Sequence, residues 1–135
     1  MYKVKHAQRT LSLVAGDSQK EVDFSDIYGP IMGYATKPIG TIPAGQSADL
    51  AIYDGATEVL APIDISVGDV TNKNSFVNGI VTPLTVEYPG RIKAQITPSA
   101  VLAGAEAYKV KVIIFYAIER SATAAGNTPN INDCL

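Results

Sequence analysis

Thirteen carboxylates, one histidine and one cysteine are the residues with which this 135-residue chain could do acid–base, metal or nucleophilic chemistry. The carboxylates that lie nearest one another in sequence are Asp17, Asp23 and Asp26, and Asp64 with Asp69. Two carboxyls flanking a scissile bond can act as acid and base, but only in a pocket that drives their pKa values apart. No feature of the surrounding sequence builds such a pocket. Turn and edge positions account for these residues instead, because the Asp side chain bonds nearby backbone amides. Asp54-Gly55-Ala56-Thr57-Glu58 holds a fragment of calcium-loop spacing and reads as an Asp-Gly turn. His6 stands next to Lys5 and near Arg9 with no partner acid or nucleophile, so it reads as a surface residue. Cys134 has no neighbouring His and reads as an incidental thiol. Gly79, Gly90 and Gly104 are isolated, without a phosphate-cradling loop around them. The chain is therefore not expected to be an enzyme, and no catalytic, cofactor-binding or metal-ligating residue is assigned.

Composition limits the partners. Eleven Lys and Arg against thirteen Asp and Glu give a net charge of −2, with no dense basic block to neutralise phosphates, so no nucleic-acid partner is expected. Hydrophobic residues make up 47% of the chain, yet no apolar run approaches the ~18 residues of a membrane span, and no membrane partner is expected. The charged start Met1-Tyr2-Lys3-Val4-Lys5-His6 lacks the apolar stretch of a secretory signal, and a lone Cys makes no internal disulfide. Both point to synthesis in a reducing cytoplasm. A chain of this mass should fold to ~6,800 Å² of surface from ~20,600 Å² unfolded, enough burial for one core.

The elements that must position any site are strands. Apolar and polar residues alternate with period 2 between turn signals about every ten residues, and helical periodicity is nearly absent. Leu11 and Leu13 precede the turn Ala15-Gly16-Asp17-Ser18, and Lys20, Val22 and Phe24 follow it, which predicts a hairpin. Strands are predicted over residues 31–36 and 49–53, and over 58–65 with a break or bend at Pro62. Residues 68–75 read as a polar loop leading to a short segment at Phe76-Val77. A second hairpin is predicted from Thr82 to Ile96. A three-residue loop, Tyr88-Pro89-Gly90, would set Val86 opposite Ile92 and Glu87 opposite Arg91, with Gly90 at positive φ. Residues 99–107 contain the one plausible helical turn, read as a connector.

The last strand, 108–119, places Tyr108, Val110, Val112, Ile114, Tyr116 and Ile118 on one face. Its other face begins with Lys109 and Lys111 and then turns apolar at Ile113, Phe115 and Ala117. Either a segment of the same chain, residues 2–5, covers Ile113 and Phe115, or the two form a subunit contact. From Ser121 the periodicity is lost, so a domain over residues 1–120 is followed by an extended arm over 121–135. In that arm Asn130, Ile131 and Leu135 are the candidate contacts with a neighbouring subunit. The aromatic residues could stack on sugars or single-stranded nucleic acid, but their positions on apolar faces favour core packing for most. The fold class this predicts is all-β: a single antiparallel β-sandwich, jelly-roll or immunoglobulin-like, of about seven to nine short strands.

Four segments in succession carry a resemblance: Gly40-Thr41-Ile42-Pro43-Ala44-Gly45, Ala48-Asp49-Leu50-Ala51-Ile52-Tyr53-Asp54-Gly55, Pro83-Leu84-Thr85-Val86, and Tyr108-Lys109-Val110-Lys111-Val112-Ile113-Ile114-Phe115-Tyr116. In this order of strands and turns, residues 10–119 resemble the small β-sandwich virion proteins of tailed bacteriophages, several of which are capsid decoration or cement subunits. The resemblance implies a structural role on the capsid surface, with the major capsid protein or other virion subunits as partners and a homo-oligomer, favoured as a trimer, as the assembly. A head–tail adaptor, neck, tail or baseplate protein is the alternative, and a carbohydrate- or receptor-binding module a further one. It implies no cofactor.

Overall fold

Among the described residues, eight segments rich in β-branched and aromatic residues form strands, the residue types that fit a half-buried pleated surface. The computed structural model describes residues 2–43, 46–68, 82–104 and 106–119. In chain order the strands are β1 (Tyr2–Leu13), β2 (Lys20–Phe24), β3 (Ile31–Ile39), β4 (Ala48–Asp54), β5 (Thr57–Asp64), β6 (Thr82–Val86), β7 (Ile92–Pro98) and β8 (Tyr108–Glu119). A 3₁₀ turn over Ile65–Gly68 is the only helical element among the described residues.

The strands form two four-stranded sheets, ordered β1-β8-β3-β6 and β2-β7-β4-β5, with every pairing antiparallel. The first strand pairs with the eighth, the second with the seventh, the third with the sixth and the fourth with the fifth. Such nested pairing, rolled so that successive pairs alternate between sheets, is the jelly-roll form of the β-sandwich. The expected all-β sandwich is thus the observed fold, and its eight strands lie within the expected range.

Both predicted hairpins are corrected by this topology. The turn after Leu13 carries the chain from one sheet to the other, so β1 pairs with β8 and β2 with β7. Likewise β6 pairs with β3 and β7 with β2 and β4, so Val86 lies opposite Ile31 and Ile92 opposite Phe24 and Asp54. Gly90 is not among the glycines at positive φ. Among the described residues the one tight hairpin joins β4 to β5, where Asp54 pairs with Thr57 and Gly55 takes φ +62° in the two-residue turn. Pro62 does not break its strand: β5 is an edge strand, and between Leu50↔Ile63 and Ile52↔Leu60 it carries an extra residue, the bulged setting that accepts proline. Residues 99–107 form no helical turn among those described. They make a connector, with the Ala103 amide bonded to the Glu106 carboxylate at 2.9 Å and Gly104 at φ +63°.

The core lies between the inner faces, where Leu11, Leu13, Ile31, Leu50, Ile52, Ile92, Ile96, Val110, Val112 and Ile114 are almost wholly buried. Each such side chain contributes ~1.5–3 kcal/mol by leaving water. Three hydroxyls go in with them. The Thr36 hydroxyl donates to the Ile65 carbonyl at 2.6 Å and ties the 3₁₀ turn to β3. The Tyr34 and Tyr108 hydroxyls are buried without an acceptor of good geometry. Burial raises both pKa values; Thr82 acts against this at Tyr34, although its own hydroxyl donates to the Val67 carbonyl at 3.4 Å.

Candidate functional site

At one end of the sandwich three connections come together: residues 25–30 between β2 and β3, the Gly55-Ala56 turn, and residues 87–91 between β6 and β7. Each is held by bonds that its sequence dictates. Asp54, the last residue of β4, accepts from the Gly90 amide at 3.1 Å and the Arg91 amide at 2.9 Å. The Gly55 amide donates to the Arg91 carbonyl at 2.8 Å, so the 87–91 loop is clamped to the β4–β5 hairpin. The Asp-Gly dipeptide therefore serves as turn and loop clamp together.

The 25–30 loop is fixed from the other side. Arg9 reaches the Asp26 carboxylate at 2.8 Å while its guanidinium lies 5.2 Å from the Phe24 ring centre. The Ala117 amide donates to the Pro30 carbonyl at 2.9 Å. Gly29 passes so close to β8 that a Cβ there would meet the Ala117 carbonyl oxygen at 1.8 Å, a space only glycine fits. Tyr116, beneath this loop, has its phenol pKa raised chiefly by burial and further by the nearby charges of Asp26 and Tyr28.

Between the two clamped loops opens a cleft of about 420 Å³, lined from one side by Tyr28, Gly29 and Pro30 and from the other by Glu87, Tyr88 and Pro89. Tyr28 is 76% exposed and Tyr88 85%. Tyr88 lies beyond the end of β6 at Val86, within the loop segment Tyr88-Pro89-Gly90 where the sequence places it, although that loop closes no hairpin. A signal was present, since each of the two tyrosines directly precedes a Gly-Pro or Pro-Gly pair, which favours a loop over a core strand.

The expected contact residues lie elsewhere. Of the two readings of β8's outer face, cover within the chain or a subunit contact, the single chain already leaves Ile113 and Phe115 only 4% and 7% exposed, clustered with Ala35. Residues 2–5 do not lie across these side chains; they pair edge to edge with residues 116–119, while His6 lies opposite Phe115 with ring centres 6.0 Å apart. Asn130, Ile131 and Leu135, with the rest of the 121–135 arm, lie outside the described residues, as do Asp69, Phe76, Val77 and Cys134.

The carboxylates are dispersed. Asp17 lies 3.8 Å from Lys20, Asp26 pairs with Arg9, and Asp64 accepts from the Ser66 amide at 2.9 Å, a bond that lowers its pKa. Among the described residues no three His, Cys, Asp or Glu side chains gather as a metal site would require. A more polar hollow of about 290 Å³ beside the same end is lined by Asp23, Arg91 and Lys93, with Lys93 3.6 Å from Glu21. Comparison with protein-family models, with curated proteins and with solved structures finds no match to this chain.

Proposed function

We propose that this chain is a structural virion protein of a tailed bacteriophage, a capsid decoration subunit that bridges and stabilises neighbouring copies of the major capsid protein. The observation that carries the reading is the nested pairing of eight strands into a jelly roll, an architecture that recurs in viral capsid proteins and lectin domains. This is support by fold analogy, since one fold serves many functions. The order of strands and turns noted in the sequence adds to it, and so does the net charge of −2, which suits a subunit outside the packaged nucleic acid. In this reading the chain works by binding rather than catalysis, is made in the host cytoplasm, and sits on the capsid surface as a homotrimer at threefold positions of the lattice.

The test is direct. Purified chain added to capsids of its phage that lack it should bind saturably, at a stoichiometry set by the lattice, and raise the temperature at which the shells fall apart. Failure to co-sediment with shells, together with co-sedimentation with isolated tails or necks, would transfer the assignment to the tail or neck alternative. Sedimentation velocity of the free chain measures the trimer separately.

A further inference from the structure

We propose that the cleft between Tyr28 and Tyr88 is a binding site for neutral saccharides. Exposed single tyrosines are ordinary on a protein surface. Two that are 76% and 85% exposed and line one cleft from opposite sides are a more specific arrangement. Both loops are held before any ligand arrives: Asp54 fixes one, and Gly29 with the Pro30 carbonyl docks the other on β8. A preset site loses less entropy on binding.

The chemistry of the lining selects the ligand class. Phenol rings offer apolar faces with a polar tip, suited to the C–H faces and hydroxyls of a pyranose. Glu87 adds a carboxylate, which when ionised only accepts hydrogen bonds and so needs a ligand rich in donors. Saccharide hydroxyls supply them. A proline-rich peptide, the other common guest of aromatic grooves, presents carbonyl acceptors and few donors, so the carboxylate opposes it. Phosphates and nucleic acids are disfavoured because none of the lining residues is basic. The proposal rests on the cleft alone and stands whether or not the chain belongs to a capsid.

The experiment is a printed glycan array followed by NMR titration of the full chain. The titration uses tyrosine-ring labels and, as probes, N-acetylglucosamine oligomers, maltohexaose, mannopentaose, laminaripentaose and decaproline. The expected result is binding of at least one neutral glycan, with ring resonances of Tyr28 and Tyr88 shifting. Tyr28→Ala and Tyr88→Ala should each weaken binding about tenfold, the loss of one aromatic contact, while Tyr88→Phe retains most of it. Both positions are so exposed that the melting temperature should hardly move, which keeps a folding defect from posing as a binding defect. The proposal is overturned if no glycan binds, if binding survives in the double alanine variant, or if decaproline alone moves the cleft resonances.

Discussion

A buried hydroxyl without an acceptor costs the fold more than a phenyl ring in the same place, and Tyr108 is such a group. Tyr108→Phe should therefore raise stability by about 1 kcal/mol at neutral pH, read from urea denaturation. The pH dependence follows from the same burial. With its folded-state pKa raised above the ordinary 10.0, the folded chain keeps a proton that the unfolded chain releases above that value. Its contribution is fully present below pH 10 and is lost as pH climbs from there through the folded-state value. The phenylalanine variant should lose less stability over this alkaline window than the parent. Gly29 lies at the opposite extreme. A methyl there collides with the Ala117 carbonyl, and either the 25–30 loop or the end of β8 must move. Gly29→Ala should cost about 3 kcal/mol in the same assay and disturb the Pro30–Ala117 bond, which amide exchange at Ala117 would report.

Among the elements, the loop carrying Tyr88 depends on one carboxylate. Asp54→Ala removes the acceptor of two amides, so exchange at Gly90 and Arg91 should accelerate, with a loss of about 1 kcal/mol in overall stability. Thr36→Val, which strands the Ile65 carbonyl inside the sandwich, should cost about 1–2 kcal/mol. The strands themselves were legible in sequence, because alternation marks which face is buried: Leu84 and Val86 in β6 and Ile92, Ala94 and Ile96 in β7 are all inward, as read. Their partners were not legible. Both sheets present an apolar inner face to the same core, so an inward set of side chains is equally content in either sheet, and a short connection can turn back or cross over. The five residues 87–91 cross. The candidate site was hidden for a related reason. The sequence places Tyr88 in a loop with Pro89-Gly90, but nothing in it sets that loop beside the one that carries Tyr28. On β8, Ile113 and Phe115 show that outward parity along a strand does not by itself mean exposure.

At the scale of the whole molecule, the nested pairs make β8 the centre of its sheet: it bonds β1 along its whole length and β3 over residues 109–116, and its outer residues Ile113, Phe115 and Ala117 are buried beside the inner ones. With each sheet's central strands bonded on both sides, loops at the two ends are free to vary without unpairing the core. Such a scaffold suits a subunit whose task is to hold a surface in place. The measurement that tests this account most directly is cryo-electron microscopy of the intact phage particle that encodes the chain. The account predicts density for the eight-stranded jelly roll at repeated lattice positions on the outside of the shell, each copy touching more than one major capsid subunit. Particles whose shells lack that density, or that carry it only as a ring at the neck or tail, would contradict it.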